Sequence, residues 1–149
     1  MKRFKFRLER VLQFRKRVRE GKLKVLLEKN QEVSNLEQRL SDLVRAQLSN
    51  TVENTNFDSR LLEIQNLYGQ RLRAEIFSTN ESLENAQNEA KLALNEYMEA
   101  SKEEKVLVSL RNKREQEYLE IIEKHEQAVL DEISIQKGNQ MLNSEEVRS

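Results

Sequence analysis

LENAQNEAKLALNEYMEASKEEKVLVSL, residues 83–110, places Leu83, Ala86, Ala90, Ala93, Tyr97, Ala100, Glu104 and Leu107 at alternating steps of three and four. That spacing holds one narrow stripe of an α-helix toward a single neighbour, which is the seam of a coiled coil. The frame persists through Arg111, Arg114, Tyr118, Ile121, His125, Ala128, Glu132 and Ile135. Small alanines let a partner helix approach closely, and the polar members mark where the seam is wetter or admits a partner. Gly138 fits a helix stop, which predicts a frayed tail over 139–149.

Upstream of Leu83 the pattern is interrupted twice. Ser78 and Glu81 have the spacing of a capping box, so Phe77-Ser78-Thr79-Asn80 is either a break or a polar patch inside one helix. Leu61, Ile64, Tyr68, Leu72 and Ile76 share a face, with Asp58 or Ser59 as the cap, so a second helix is expected over about 59–138. Ser49 to Asn56 is rich in Ser, Thr and Asn, whose side chains compete for backbone hydrogen bonds, and predicts a turn region over about 49–58. Before it, Leu8, Val11, Arg15, Val18, Lys22 and Val25 form a stripe that slips by one residue and resumes as Leu26, Val33, Leu36, Leu40 and Leu43. This predicts a first helix over about 4–48, with a phase adjustment in the middle.

The expected fold is all-α: two long helices in one antiparallel coiled-coil hairpin spanning 1–149, with the option of a short helical segment at the turn. The chain has 149 residues, 35% of them charged and 37% hydrophobic, with no Pro and three Gly. Few breakers and sparse but periodic apolar residues suit long paired helices rather than a thick core, and the periodicity argues against disorder. Charge sets the orientation. Residues 1–29 hold twelve Lys or Arg against Glu9, Glu20 and Glu28, while Glu115 to Glu146 holds nine acids against Lys124 and Lys137, in a chain of zero net charge. A monomeric antiparallel hairpin brings the opposite signs together, with Arg7, Arg10 and Lys16 expected near Glu123, Glu126 and Glu132. Exposed ion pairs contribute only about 0 to 1 kcal/mol each, so they choose the pairing more than they stabilise it.

The same residues exclude several function classes. With no Cys there is neither a disulfide nor a thiolate metal site. Arg7, Arg10, Arg15 and Arg17 interrupt every apolar run that could serve as a secretory signal, and no window reaches the length of a membrane span, so a soluble, cytoplasmic protein is expected. His125, the single histidine, sits at a seam position; no cofactor or metal is expected. Gly21, Gly69 and Gly138 are scattered singly and build no phosphate loop. These features predict a non-enzyme. The basic start would suit nucleic acid, but Phe4, Phe6, Leu8, Val11, Leu12, Phe14 and Val18 alternate with the cations and need protein to cover them, so no nucleic-acid partner is expected. The same composition allows peripheral binding to an anionic membrane surface.

Two segments at opposite ends go further. Phe4-Lys5-Phe6-Arg7-Leu8-Glu9-Arg10-Val11-Leu12-Gln13-Phe14-Arg15 resembles the opening of the flagellar export protein family FliJ: an aromatic pair, Arg-Leu, two spacers, Val-Leu and an Arg. Lys113-Arg114-Glu115-Gln116-Glu117-Tyr118, followed by Glu126-Gln127 and Leu130-Asp131-Glu132, resembles that family's closing signature. The resemblance implies an antiparallel two-helix stalk whose paired termini enter the hexameric export ATPase FliI, promote its assembly, couple it to the export gate protein FlhA and handle export chaperones. It implies an ATPase-facing end built from Phe4, Arg7, Leu8, Val11, Arg15, Glu126, Gln127, Asp131 and Glu132. It places the gate contact near Leu43, Tyr68, Leu72 and Ile76, although this chain has Ala46 and Asn50 where the family often has aromatics before the turn. The expected location is cytoplasmic, at the cytoplasmic face of the inner membrane. A stalk of a virulence type III secretion system and a structural coiled-coil adaptor without an ATPase partner are the alternative readings.

Overall fold

A computed structural model describes residues 2–52 and 58–148. Within them the chain forms two helices, α1 (Glu9–Val52, 44 residues) and α2 (Ser59–Arg148, 90 residues), packed against each other as a helical hairpin. Of the turn region expected over 49–58, Ser49 to Val52 are helix instead and residues 53–57 lie outside the described residues. Asp58 precedes α2 as its cap: its Oδ1 accepts from the Arg60 amide at 3.2 Å and its carbonyl from the Leu62 amide at 3.0 Å. Among the described residues no helix is long and apolar enough to cross a membrane.

The chain divides into two compact units, Arg15–Glu103 and Met1–Phe14 with Glu104–Ser149. In the first, three cross-helix ion pairs fix direction and register. Arg15 pairs with Glu103, Lys22 Nζ lies 3.0 Å from Glu96 and Lys29 Nζ lies 2.8 Å from Glu89. For each seven residues gained on α1, seven are lost on α2, so the helices are antiparallel and share one heptad frame. That frame sets Leu26 level with Ala93, Val33 with Ala86, Leu36 with Leu83, Leu40 with Thr79 and Gln47 with Leu72, so large side chains face small or polar ones along much of the seam. Leu26, Leu72, Thr79, Ala86, Ala93 and Ala100 are buried accordingly. At the level of Asn50 and Gly69 the Asn50 side chain lies against the α2 backbone. A Cβ on Gly69 would stand 3.3 Å from Asn50 Nδ2, which donates to the Gln65 carbonyl at 3.2 Å.

Several sequence expectations change. Among the half-buried and buried positions of α1, Leu12, Arg15, Arg19, Lys22, Leu26, Lys29, Val33, Leu36, Leu40 and Leu43 keep one frame without a slip, because the seam uses Leu12 and Leu26 and leaves Val11 and Val25 more than 40% exposed. α1 starts at Glu9 rather than Phe4, since the residues before it are spent in another contact, and it runs past Leu48 because Asn50 bonds across to α2 instead of capping its own helix. Phe77 to Asn80 is continuous helix with Thr79 on the seam. Gly138 stops nothing: no described glycine has positive φ, so the left-handed cap a glycine stop requires is not formed, and α2 continues to Arg148.

Candidate protein-docking tip

In the unit formed by residues 1–14 and 104–149, the chain enters α1 through a short non-helical segment laid on α2. Phe4 meets Tyr118 with ring centroids 5.7 Å apart, tilted by 43°, and the Tyr118 hydroxyl donates to the Lys2 carbonyl. The Glu9 amide donates to the Phe6 carbonyl at 3.1 Å and starts the helix. Glu9 also stands 3.6 Å from Arg111 Nε and accepts from Gln13 Nε2 at 3.1 Å, so one carboxylate ties the first turn of α1 to α2. An acid there complements the positive end of the helix dipole.

This segment and α2 enclose an open concavity of about 1260 Å³, lined by Lys2 to Leu8 together with Leu110, Arg114, Glu117, Tyr118 and Ile121. Phe4, Phe6 and Leu8 are half-buried in it, whereas Lys2, Arg3, Lys5 and Arg7 are exposed. The result is an apolar hollow surrounded by cations, with one anionic wall where Glu117 Oε2 pairs with Arg114 Nη1 at 3.2 Å. Beyond Ile122 the character of α2 changes: each described residue from Glu123 to Arg148 is exposed. The heptad of the sequence continues there through His125, Ala128, Glu132 and Ile135 with no described residue burying it.

The structure therefore regroups the residues singled out above. Phe4, Arg7 and Leu8 line the concavity with Leu110 and Tyr118, and Val11, in the same unit, is exposed. Glu126, Gln127, Asp131 and Glu132 also belong to it, but on the exposed stretch of α2; the basic start does not pair with Glu123, Glu126 or Glu132 as charge alone suggested. Its partners are Arg111 and Tyr118, because the aromatic contact and the Glu9 pair set the register. Arg15 falls in the other unit, committed to Glu103. In that other unit Leu72 is buried, Leu43 and Ile76 are half-buried and Tyr68 is exposed. The heptad spacing makes Tyr118 a seam residue, but its bond to the Lys2 backbone, 116 positions away, has no local signal in the sequence. Among the described residues no cluster of His, Asp or Glu could hold a metal ion.

A family model described as flagellar FliJ protein matches residues 4–142. The chain belongs to the FliJ family. The match covers both the aromatic, basic entry and most of the exposed part of α2. FliJ membership makes this a flagellar, type III export-related protein, of a family that is a non-catalytic export component. No curated protein and no solved structure matches the chain.

Proposed function

We propose that this FliJ-family protein is a central stalk of the flagellar export apparatus, which inserts its terminal unit into the hexameric export ATPase and promotes the ring's assembly. The observation that carries the reading is the pairing, in one unit, of a cation-ringed apolar hollow with a long acidic helix end that is exposed throughout. A ring lumen can grip such a surface through many separate polar contacts of modest strength while leaving it free to move. Phe4, Arg7, Leu8 and Val11 supply one side of the contact and Glu126, Gln127, Asp131 and Glu132 the other. Arg15 contributes by holding the helices in register. The export-gate contact is placed around exposed Tyr68, with Leu43, Leu72 and Ile76 forming the seam beneath it, and the same protein hands over export chaperones at the cytoplasmic face of the membrane.

The test is co-purification with the export ATPase and stimulation of its hexamer formation and hydrolysis. Arg7→Glu and the triple change Glu126→Lys, Asp131→Lys, Glu132→Lys should each weaken binding at least about tenfold, equivalent to about 1.4 kcal/mol, while leaving helix content unchanged because these side chains are exposed. Unaltered ATPase stimulation by both variants rules out the placement; no binding by the parent rules out the stalk.

A further inference from the structure

Helix α1 carries two parallel apolar stripes where a coiled coil needs one. The seam uses Leu12 and Leu26, 4% and 8% exposed, with Arg19 between them; the row displaced by one residue, Val11, Val18 and Val25, is regularly spaced by seven and just as apolar. In the present register Val11 and Val25 are 43% and 42% exposed and Val18 is half-buried. The occupied stripe holds two leucines and one arginine, the vacant one three valines. Arg15, Lys22 and Lys29 lie between the two rows and belong to the seam in either case. A turn of α1 by roughly 50° about its axis, half the 100° between successive residues, exchanges one stripe for the other.

Three observations make the exchange feasible and show what opposes it. Between Ala90 and Ala100 the facing seam of α2 is mostly alanine, Ala90, Ala93 and Ala100, whose short side chains offer little resistance to a turning neighbour; half-buried Tyr97 is the one bulky member the turn must pass. Glu89, Glu96 and Glu103, each one residue before a seam position, lie on the side that the valine row occupies. Bringing the valines inward carries Arg15, Lys22 and Lys29 across the seam and away from these glutamates, and turns Phe14, Gly21 and Glu28 toward them, none of which is a cation. On the opposite side a concavity of about 450 Å³, lined by Leu26, Asn30, Val33, Gln87, Ala90 and Leu94 among others, gives Leu26 room to move.

We propose that α1 between Arg15 and Lys29 has two registers against α2, and that the ladder Arg15–Glu103, Lys22–Glu96, Lys29–Glu89 is the latch holding the leucine register. Burial of Leu26 favours the present state, release of Arg19 from the seam favours the other, and the ion pairs decide between them. Removing the latch moves the population toward the valine register.

The chain has no cysteine, so engineered pairs report register in the full-length protein. Leu26→Cys with Ala93→Cys reports the leucine register, Val25→Cys with Ala93→Cys the valine register, and Leu27→Cys with Ala93→Cys, from an outward position 59% exposed, the background. A disulfide needs Cα atoms within roughly 7 Å, so the three pairs discriminate. In the parent background 26–93 should dominate and 25–93 should exceed 27–93. Glu89→Gln, Glu96→Gln and Glu103→Gln together should raise the 25–93 yield relative to 26–93 by about three- to tenfold. Arg19→Leu, which completes the leucine stripe, should lower it by a similar factor. A 25–93 yield at the 27–93 background in all three proteins overturns the proposal, and so does a 25–93 to 26–93 ratio that neither the Gln set nor Arg19→Leu moves.

Discussion

The unit Arg15–Glu103 and the unit formed by residues 1–14 and 104–149 both carry heptads, yet they use them differently. In the first, successive seam positions on both helices are buried or half-buried and ion pairs recur at the heptad spacing. In the second, cover ends near Ile122 while the sequence repeat runs on through Ile135. Heptad spacing thus records what a helix is able to pair with. Whether a partner is present depends on chain length and register: the α2 helix has 90 residues and α1 only 44 to set against it.

The largest effect that separates the two regions comes from equivalent apolar deletions. Leu26→Ala leaves an alanine level with Ala93 and should cost about 2 to 3 kcal/mol in urea unfolding, at the low end for leucine because a two-helix seam buries less than a globular core. Ile135→Ala, on the same heptad frame but 64% exposed, should change stability by less than about 0.5 kcal/mol. Equal losses would mean that the end of α2 is paired after all, and the contrast between the units would collapse.

What the sequence made legible follows from the same contrast. Helix identity, antiparallel direction and the α2 seam from Leu83 to Leu107 were readable because each is set by local periodicity and gross charge. The α1 register was not, because Val11, Val18 and Val25 compete with Leu12 and Leu26, and only the packing against α2 decides between them. Thr79 and Asn50 misled for a related reason: both are turn-prone in isolation, and both find helical use where a facing residue accepts them. At the tip, the apolar and basic residues were recognised, but the Phe4–Tyr118 contact links distant positions through a side-chain geometry that no spacing rule contains. That contact determines which cations remain exposed, so the candidate surface was legible in composition and not in arrangement.

A smaller effect sharpens the comparison with glycines. Gly21 lies in α1 of the paired unit and Gly138 on the exposed stretch of α2, and a Cβ at either would meet nothing within 4 Å. Both have helical neighbours and neither has positive φ, so alanine should fit each without strain. Gly21→Ala should raise the global unfolding free energy by about 0.5 to 1 kcal/mol, through a smaller entropy loss on folding. Gly138→Ala should increase helicity and hydrogen-exchange protection around residue 138 and leave the global midpoint in place, since that stretch is not part of the seam. A shared shift in midpoint would couple the two regions and contradict their separation.

The smallest effect concerns the latch in the paired unit. The Glu89 hydrogen bond and charge, helped by Glu32, hold the Lys29 ammonium above its ordinary value of 10.5 against the opposing effect of desolvation. A cation whose folded-state pKa is raised binds its proton more tightly in the folded protein, so its contribution is fully present below 10.5 and fades as pH rises through the raised value. The difference in stability between the parent and Lys29→Met should therefore be constant through neutral pH and shrink only in strongly alkaline solution, where Lys29 loses its charge. Because the pair is solvent-accessible, salt should shrink the same difference at neutral pH. A difference that vanished on acidification from neutral pH toward 6 instead would mean that a group other than Lys29 carries the interaction. One that survived both alkali and salt would assign the contribution of Lys29 to packing of its methylene stem, and the ladder would lose its role as an electrostatic latch.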